Sequence, residues 1–311
     1  MLEHFLFTEK YRPKTINECI LPSNIKNTFN DYISKGELPN FLLSGSPGQG
    51  KTCCSRALCS ETNAEVLFIN GSEETGIDVL RNKIRSFASS MSLTDAKKIV
   101  IIDESEYLSS SAQPGLRAFM EEFALNCRFI LTCNYKHRII APIHSRCQVI
   151  DFVIPKEEVG ALKTQFLKRI ISILSAEGIT YDIKSIAKLI EGYFPDYRRI
   201  LNEIQRYSVS GHIDSGILLN LSSETYKALF KILKEKRFTD ARKWVKANND
   251  VDVNKIFLEL YENADGNLVP ESVPVLVTLI ARYQYETVFV AHPEINLLSL
   301  LTDIMRECSF I

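Results

Sequence analysis

The stretch Gly45-Ser-Pro-Gly-Gln-Gly-Lys-Thr52 restricts what this chain can fold into more than any other. It satisfies the pattern G-x-x-x-x-G-K-[ST] in full, and the apolar run Phe41-Leu-Leu43 just before it reads as the strand that feeds such a loop. Glycines at Gly45, Gly48 and Gly50 let successive backbone N–H groups close around phosphate oxygens, where a Cβ would obstruct them. Ser46, Pro47 and Gln49 fill the remaining loop positions, and Lys51 supplies a point charge for the β- and γ-phosphates. Thr52 offers a hydroxyl to Mg²⁺, and Cys53 continues into a helix whose positive end faces the same phosphates. The competing reading, a Gly-rich turn that binds nothing, is disfavoured by the complete spacing and by the strand before it.

The chain around this loop alternates. Short apolar runs at Val66–Ile69, Ile99–Ile102, Phe129–Leu131 and Val149–Ile150 are separated by helix-length or loop segments. That pattern predicts a mostly parallel sheet with helices on both faces. A helix is expected over about Asn24–Ser34. A second starts at Ile77, where Ile77, Leu80, Ile84, Phe87 and Met91 share one face and Arg81, Lys83 and Arg85 the other.

Ile99-Val-Ile-Ile-Asp-Glu104 joins four apolar residues suited to a strand buried on both faces to two adjacent carboxylates. With a phosphate loop upstream, Asp103 is expected to hold the Mg²⁺ shell and Glu104 to polarise the water that attacks the γ-phosphate. A solvated acidic turn is the bland alternative. Arg128-Phe-Ile-Leu-Thr-Cys-Asn134 reads as a further buried strand, and Asn134 as either a hydrogen-bonding group for the γ-phosphate and its water or a turn former. Parallel α/β sheets bind ligands at the carboxyl ends of their strands, where Thr52, Asp103, Glu104 and Asn134 all fall.

From Pro155 the pattern becomes helical without strands: Glu157–Ala176, Ile183–Tyr193, Tyr197–Ser208, and a helical region from Glu224 onward broken at Asn248-Asn249, Gly266-Asn267 and Pro293. The expected organisation is an α/β domain over 1–152, a small helical domain over 153–222 and a C-terminal helical domain over 223–311.

Net charge is −1, with 17 basic against 17 acidic residues in 1–152, 9 against 8 in 153–222 and 11 against 13 in 223–311. No region is basic overall, so any nucleic-acid contact must come from locally placed groups. No apolar run approaches the ~18 residues of a membrane span. The start Met1-Leu-Glu-His-Phe5 lacks the basic-then-apolar order of a signal peptide, so a cytoplasmic location without membrane partners is expected. The eight cysteines lack zinc or redox spacing and are expected to be reduced, and no metal site is read beyond Mg²⁺ brought in with the nucleotide.

Several stretches together resemble the clamp-loader ATPases of the AAA+ class. Glu9-Lys-Tyr-Arg-Pro13 resembles the N-terminal box of replication factor C small subunits, which implies that Tyr11, Arg12 and Pro13 lie beside an adenine. Asn70–Ile84 is similar to the segment after the second strand of those subunits. Ser145-Arg-Cys147 matches their arginine-finger signature, Asn134 their first sensor, and Asp196-Tyr-Arg-Arg-Ile-Leu-Asn202 their second, with Arg198 at the matching arginine and Arg199 beside it. Asn17–Pro22, Ser34–Gly36, Gly115–Glu121, Phe194–Arg198 and Asp214–Leu218 further resemble the large clamp-loader subunit of T-even-type tailed phages. Two departures stand out: Pro114-Gly115 replaces helix formers, and the loop Glu73–Gly76 lacks the basic residue that relatives carry.

The resemblance implies an AAA+ domain, a helical lid and a C-terminal oligomerisation collar, with ATP and Mg²⁺ as cofactors. It implies hydrolysis of ATP with Lys51, Thr52, Asp103, Glu104 and Asn134 in cis and Arg146 supplied to a neighbour. The implied partners are other copies of the chain and a small loader subunit in a pentamer, a sliding clamp met by the segment Phe87–Leu93, and primer-template DNA touched on its backbone by Arg81 and Lys83. The location becomes a host cytoplasm if the chain is phage-encoded. Another AAA+ remodeller, such as a helicase loader or recombination motor, and a non-hydrolysing scaffold subunit remain as rivals.

Overall fold

Branched and aromatic residues dominate five short strands: β1 (Phe41–Ser44), β2 (Glu65–Asn70), β3 (Lys98–Asp103), β4 (Cys127–Cys133) and β5 (Gln148–Asp151). In the computed structural model, which describes residues 5–90, 96–209, 211–214, 217, 222–248, 253–287, 289–290 and 292–311, they form one parallel sheet in the order β2-β3-β4-β1-β5. The register sets Ser44 beside Cys133 and Ile102 beside Leu131, so β1, β3 and β4 end together. Alternate side chains enter separate cores. Leu42, Val100, Ile102, Phe129 and Leu131 pack under α4 (Ile77–Ser89) and α5 (Ala112–Glu122), while Phe41, Leu43, Ile99, Ile101 and Ile130 pack under α2 (Ser23–Lys35) and α3 (Lys51–Glu61). A sheet covered on both faces explains why its central strands read as unbroken apolar runs.

Pro114 sits in the first turn of α5, where its missing N–H costs no intrahelical bond. Gly115 follows for a steric reason: a Cβ there would come within 2.1 Å of Ile77 Cδ1, so the dipeptide lets α4 and α5 cross closely. Lys98 is an unexpected feature of the same layer. It is only 5% exposed, and its ammonium donates to Phe87 O at 2.7 Å, to Ser90 O, and to Ser90 Oγ at 2.7 Å, capping the carboxyl end of α4. Met91, expected on that helix face, and Leu93, the end of the segment expected to meet a clamp, lie outside the described residues.

Two short helices, α1 (Phe7–Lys10) and α6 (Ala141–His144), flank this layer, and α7 (Val159–Ala176), α8 (Ile183–Tyr193) and α9 (Tyr197–Ser208) follow it. The expectation of no strands beyond Pro155 is corrected here: β6 (Thr180–Tyr181) pairs in parallel with β7 (His212–Ile213). Strands of two residues are too short to carry an alternation signal. Asp182 caps α8 by accepting from Lys184 N at 3.3 Å and Ser185 N at 3.0 Å. Residues Ser215, Gly216 and Leu218 of the quoted Asp214–Leu218 match are outside the described residues, as is Asn249.

The chain divides into two compact units, Met1–Leu218 and Leu219–Ile311. The second holds α10 (Ser222–Lys234), α11 (Phe238–Ala247), α12 (Val253–Glu262), α13 (Val273–Thr287) and α14 (Pro293–Glu307) around a core of its own that includes Leu229, Phe257, Leu276 and Leu300. Pro293 opens α14 rather than breaking it, as suits a residue with a fixed φ and no N–H to lose. No described helix is long and apolar enough to cross a membrane.

Replacing Lys98 by Met leaves the end of α4 without its cap and removes the donor to the partly buried carbonyls of Phe87 and Ser90. Urea denaturation of Lys98→Met is expected to show a loss of about 2 kcal/mol in stability.

Candidate nucleotide site

The loop at 45–50 emerges from β1 and turns into α3 through backbone that glycine tolerates best. Gly48 has φ +76° and Gly50 φ +90°. At Gly48 steric crowding adds a second requirement, because a Cβ would lie 1.9 Å from Asp196 Oδ1. Asp196 is the N-cap of α9, and Tyr197 N donates to Gly48 O at 3.1 Å. Lys51, 7% exposed, reaches back over the loop and donates to Gly45 O at 2.7 Å, Ser46 O at 2.8 Å and Asn134 Oδ1 at 2.9 Å. Burial pulls its pKa below the usual lysine range, and Arg198 adds to that, while the nearby Cys133, Glu106 and Asp103 oppose it.

The ends of β3 and β4 are knitted together beside this ammonium. Asp103 Oδ1 accepts from Thr52 Oγ1 at 2.8 Å and also from Thr132 Oγ1. Thr132 Oγ1 in turn accepts from Glu104 N at 3.1 Å, and Thr132 O accepts from Ser105 Oγ at 2.8 Å. Glu104 is left-handed, with φ +54° and ψ +44°. A non-glycine residue held there is strained, and such strain collects at functional sites. The turn it makes puts Glu104 on the wall of a cavity and folds Glu106 behind it, where Glu106 Oε1 accepts from Asn134 N at 2.8 Å. Neither Thr132 nor Glu106 stood out in the sequence. Both lie inside or just after strand motifs, and their signal is the pairing of β3 with β4.

The cavity encloses about 820 Å³. It is lined by Pro47, Gly48, Gln49, Gly50, Lys51, Thr52 and Cys53 of the loop and the start of α3, by Asp103, Glu104 and Asn134, and by Tyr11, Arg12 and Pro13 of the N-terminal arm. The N-terminal arm is tied to the helices after the sheet. Phe7 N donates to Gln205 Oε1 at 2.9 Å, Arg169 Nη2 donates to Tyr11 O at 3.0 Å, Lys10 pairs with Glu177 at 2.8 Å, and the Tyr11 hydroxyl donates to Glu177. Between the adjacent arginines the structure makes a clear distinction. Arg198 lines the cavity, while Arg199 stacks its guanidinium 4.2 Å from the Tyr193 ring centroid.

These residues fit a Mg²⁺-nucleoside triphosphate. Glycines stand where side chains would fill the cradle, a buried ammonium lies at its base, and Thr52 and Asp103 offer the oxygen donors that a hard cation takes. Gln49 Oε1 is buried beside Gly45 without a hydrogen-bond partner, a further polar atom in the loop.

Three expected site residues stand apart. Arg146 does not line its own chain's cavity. It lies after α6, where Nε donates to Glu121 Oε1 at 2.8 Å, Nη2 bonds the same oxygen, and Nη1 donates to Pro142 O at 2.8 Å. Arg81 lies 3.5 Å from Asp78, and Lys83 pairs at 2.6 Å with Glu74 from the acidic loop. Of the eight cysteines, all free, six are buried. Burial pushes the Cys59 thiol up to about 12 and Cys127 and Cys133 to about 11, which keeps them protonated.

A phosphate loop after β1, a carboxylate pair after β3, an asparagine after β4 and a following helical segment define a P-loop ATPase of the AAA+ class. Residues 41–154 match the family described as "ATPase family associated with various cellular activities (AAA)", and residues 158–219 match "Sliding-clamp-loader large subunit, AAA+ ATPase lid domain". The sliding-clamp-loader large subunit of Escherichia phage RB69 is 40% identical over 77% of this chain and 76% of its own length. That of Enterobacteria phage T4 is 35% identical over 98% and 97%. The replication factor C small subunit of Methanocella arvoryzae is 36% identical over 78% and 77%. This chain belongs to the clamp-loader family of AAA+ ATPases. In fold alone it is also similar to a solved RuvB Holliday junction branch migration motor of Thermotoga maritima, with a TM-score of 0.52 and 18% identity over 73% of this chain and 80% of that one.

Gly48→Ala combines a left-handed backbone with a clash against Asp196. Titration with a fluorescent ATP analogue is expected to show affinity reduced by at least about tenfold.

Proposed function

We propose that this chain is the ATP-hydrolysing motor subunit of a sliding-clamp loader that opens a ring-shaped polymerase clamp and places it on primer-template DNA during phage DNA replication. The observation that carries the chemical part is the convergence of Lys51, Thr52, Asp103, Glu104 and Asn134 on one cavity. The family match over residues 158–219 supports the clamp-loader part.

In this mechanism the loop amides and Lys51 hold the β- and γ-phosphates. Tyr11, Arg12, Pro13 and Cys53 bound the base. Thr52 and Asp103 hold Mg²⁺, which, when bound, neutralises charge that builds on the phosphates. Glu104 orients the attacking water and draws on its proton, and Asn134 fixes the geometry between that water and the γ-phosphate. Arg198 reports the nucleotide to the helical lid, a role supported by its place in the cavity wall. Arg146 acts on a neighbouring subunit's nucleotide, which agrees with its position outside its own chain's cavity.

In this reading 1–152 is the nucleotide-binding domain, 153–222 the lid and 223–311 the collar that joins other copies and a small subunit, in a pentamer. Arg81 and Lys83 of α4 meet the phosphodiester backbone without reading sequence, and the end of that helix meets the clamp. Both cations have carboxylate neighbours, Asp78 and Glu74, that DNA phosphates would displace. The work is done in the cytoplasm of the host cell. The similarity to a branch migration motor supports no rival activity, because identity at that level speaks to fold alone.

Two measurements test the proposal. ATP turnover of the assembled loader is expected to rise with primer-template DNA and the clamp, and Glu104→Gln is expected to abolish that rise. No stimulation by either would overturn the clamp-loader reading. Arg146→Ala is expected to lower turnover by about 10³-fold or more while ATP binding stays within about twofold; unchanged turnover removes Arg146 from the mechanism.

A further inference from the structure

Glu106 is a buried carboxylate that the mechanism above does not use. It is 6% exposed, does not line the cavity, and sits in the short turn that the left-handed Glu104 initiates. One oxygen accepts from Asn134 N at 2.8 Å, and the other, also buried, has no hydrogen-bond partner. An ionisable group in such a place is costly to keep unless its position serves something. Asn134 sits at the next link: its main-chain N–H is held by Glu106 while its side-chain oxygen takes the Lys51 ammonium at 2.9 Å. The route Glu106–Asn134–Lys51 therefore runs from the turn after β3, across the end of β4, to the phosphate loop.

We infer that Glu106 is a positioning residue for hydrolysis, fixing the main chain of Asn134 so that its amide stays aimed at Lys51 and the γ-phosphate. The inference rests on the role proposed for Asn134. Two contiguous carboxylates at the end of β3 line the cavity, and a third, Glu106, braces the asparagine at the end of β4. Asn134 follows the last residue of β4, where no further strand pairing restrains it, so the Glu106 oxygen replaces the restraint that a longer strand would supply. Loss of that oxygen frees the peptide to rotate, and displacements near 1 Å at a reacting centre are enough to cost about 10²-fold in rate.

The test compares Glu106→Gln, which keeps an acceptor oxygen at the same reach, with Glu106→Met, which keeps volume and removes the acceptor. Glu106→Asp, whose carboxylate falls one methylene short, serves as a further variant should the apolar one fold poorly. In the assembled loader with primer-template DNA, Glu106→Gln is expected to retain turnover within about fivefold, while Glu106→Met and Glu106→Asp lose about 20-fold or more in kcat with KM for ATP within about threefold. Turnover equal in the Gln, Met and Asp variants, or a loss confined to KM, overturns the inference. Asn134→Ala separates the two levels. If it retains full turnover, the role of Asn134 itself falls; if it loses turnover while Glu106→Met does not, only the part assigned to Glu106 falls.

Discussion

A lysine ammonium enclosed at the base of a loop must find oxygens to replace its water, and the architecture around Lys51 is arranged to provide them. Two come from the loop's own carbonyls, at Gly45 and Ser46, and the third from the side chain of Asn134. The first two require that the loop double back over the start of α3, which fixes its glycines. The third requires that β4 end level with β1, which the parallel pairing of Ser44 with Cys133 provides. Burial weakens the lysine's hold on its proton, and the carboxylates of Glu106 and Asp103 act in the other direction.

Asp103 plays a similar double part. It ends a strand buried on both sides, and its oxygen collects hydroxyls from Thr52 and Thr132. One belongs to the phosphate loop and the other to the neighbouring strand, so three segments distant in sequence converge on one carboxylate oxygen.

Much of this was legible in the residues. The loop, the two carboxylates and Asn134 carry their chemistry in short motifs, and the parallel sheet follows from apolar runs that both faces bury. The helices at 183–193 and 197–208 fall where the sequence places them, and the structure adds the side-chain caps at Asp182 and Asp196 that start them. Other features had no local signal. The pairing of Thr180–Tyr181 with His212–Ile213 depends on residues some thirty positions apart and on strands too short to alternate. The left-handed turn at Glu104 depends on Thr132 accepting its N–H. Arg198 and Arg199 are equivalent as letters, and only the helix phase sends one to the cavity and the other onto Tyr193. Lys98 reads as a charge at a strand start, and its burial follows from the carbonyls that α4 leaves at its end.

At the crown of the phosphate loop, Gly48 touches the cap of α9: its carbonyl takes the Tyr197 N–H, and its missing Cβ makes room for Asp196. Loop and helix thus share a boundary occupied only by the Asp196 side chain. A ligand that displaced the crown would meet the first turn of α9 through this single contact. On the proposed reading, nucleotide held at the crown and the position of α9 would be coupled through that contact.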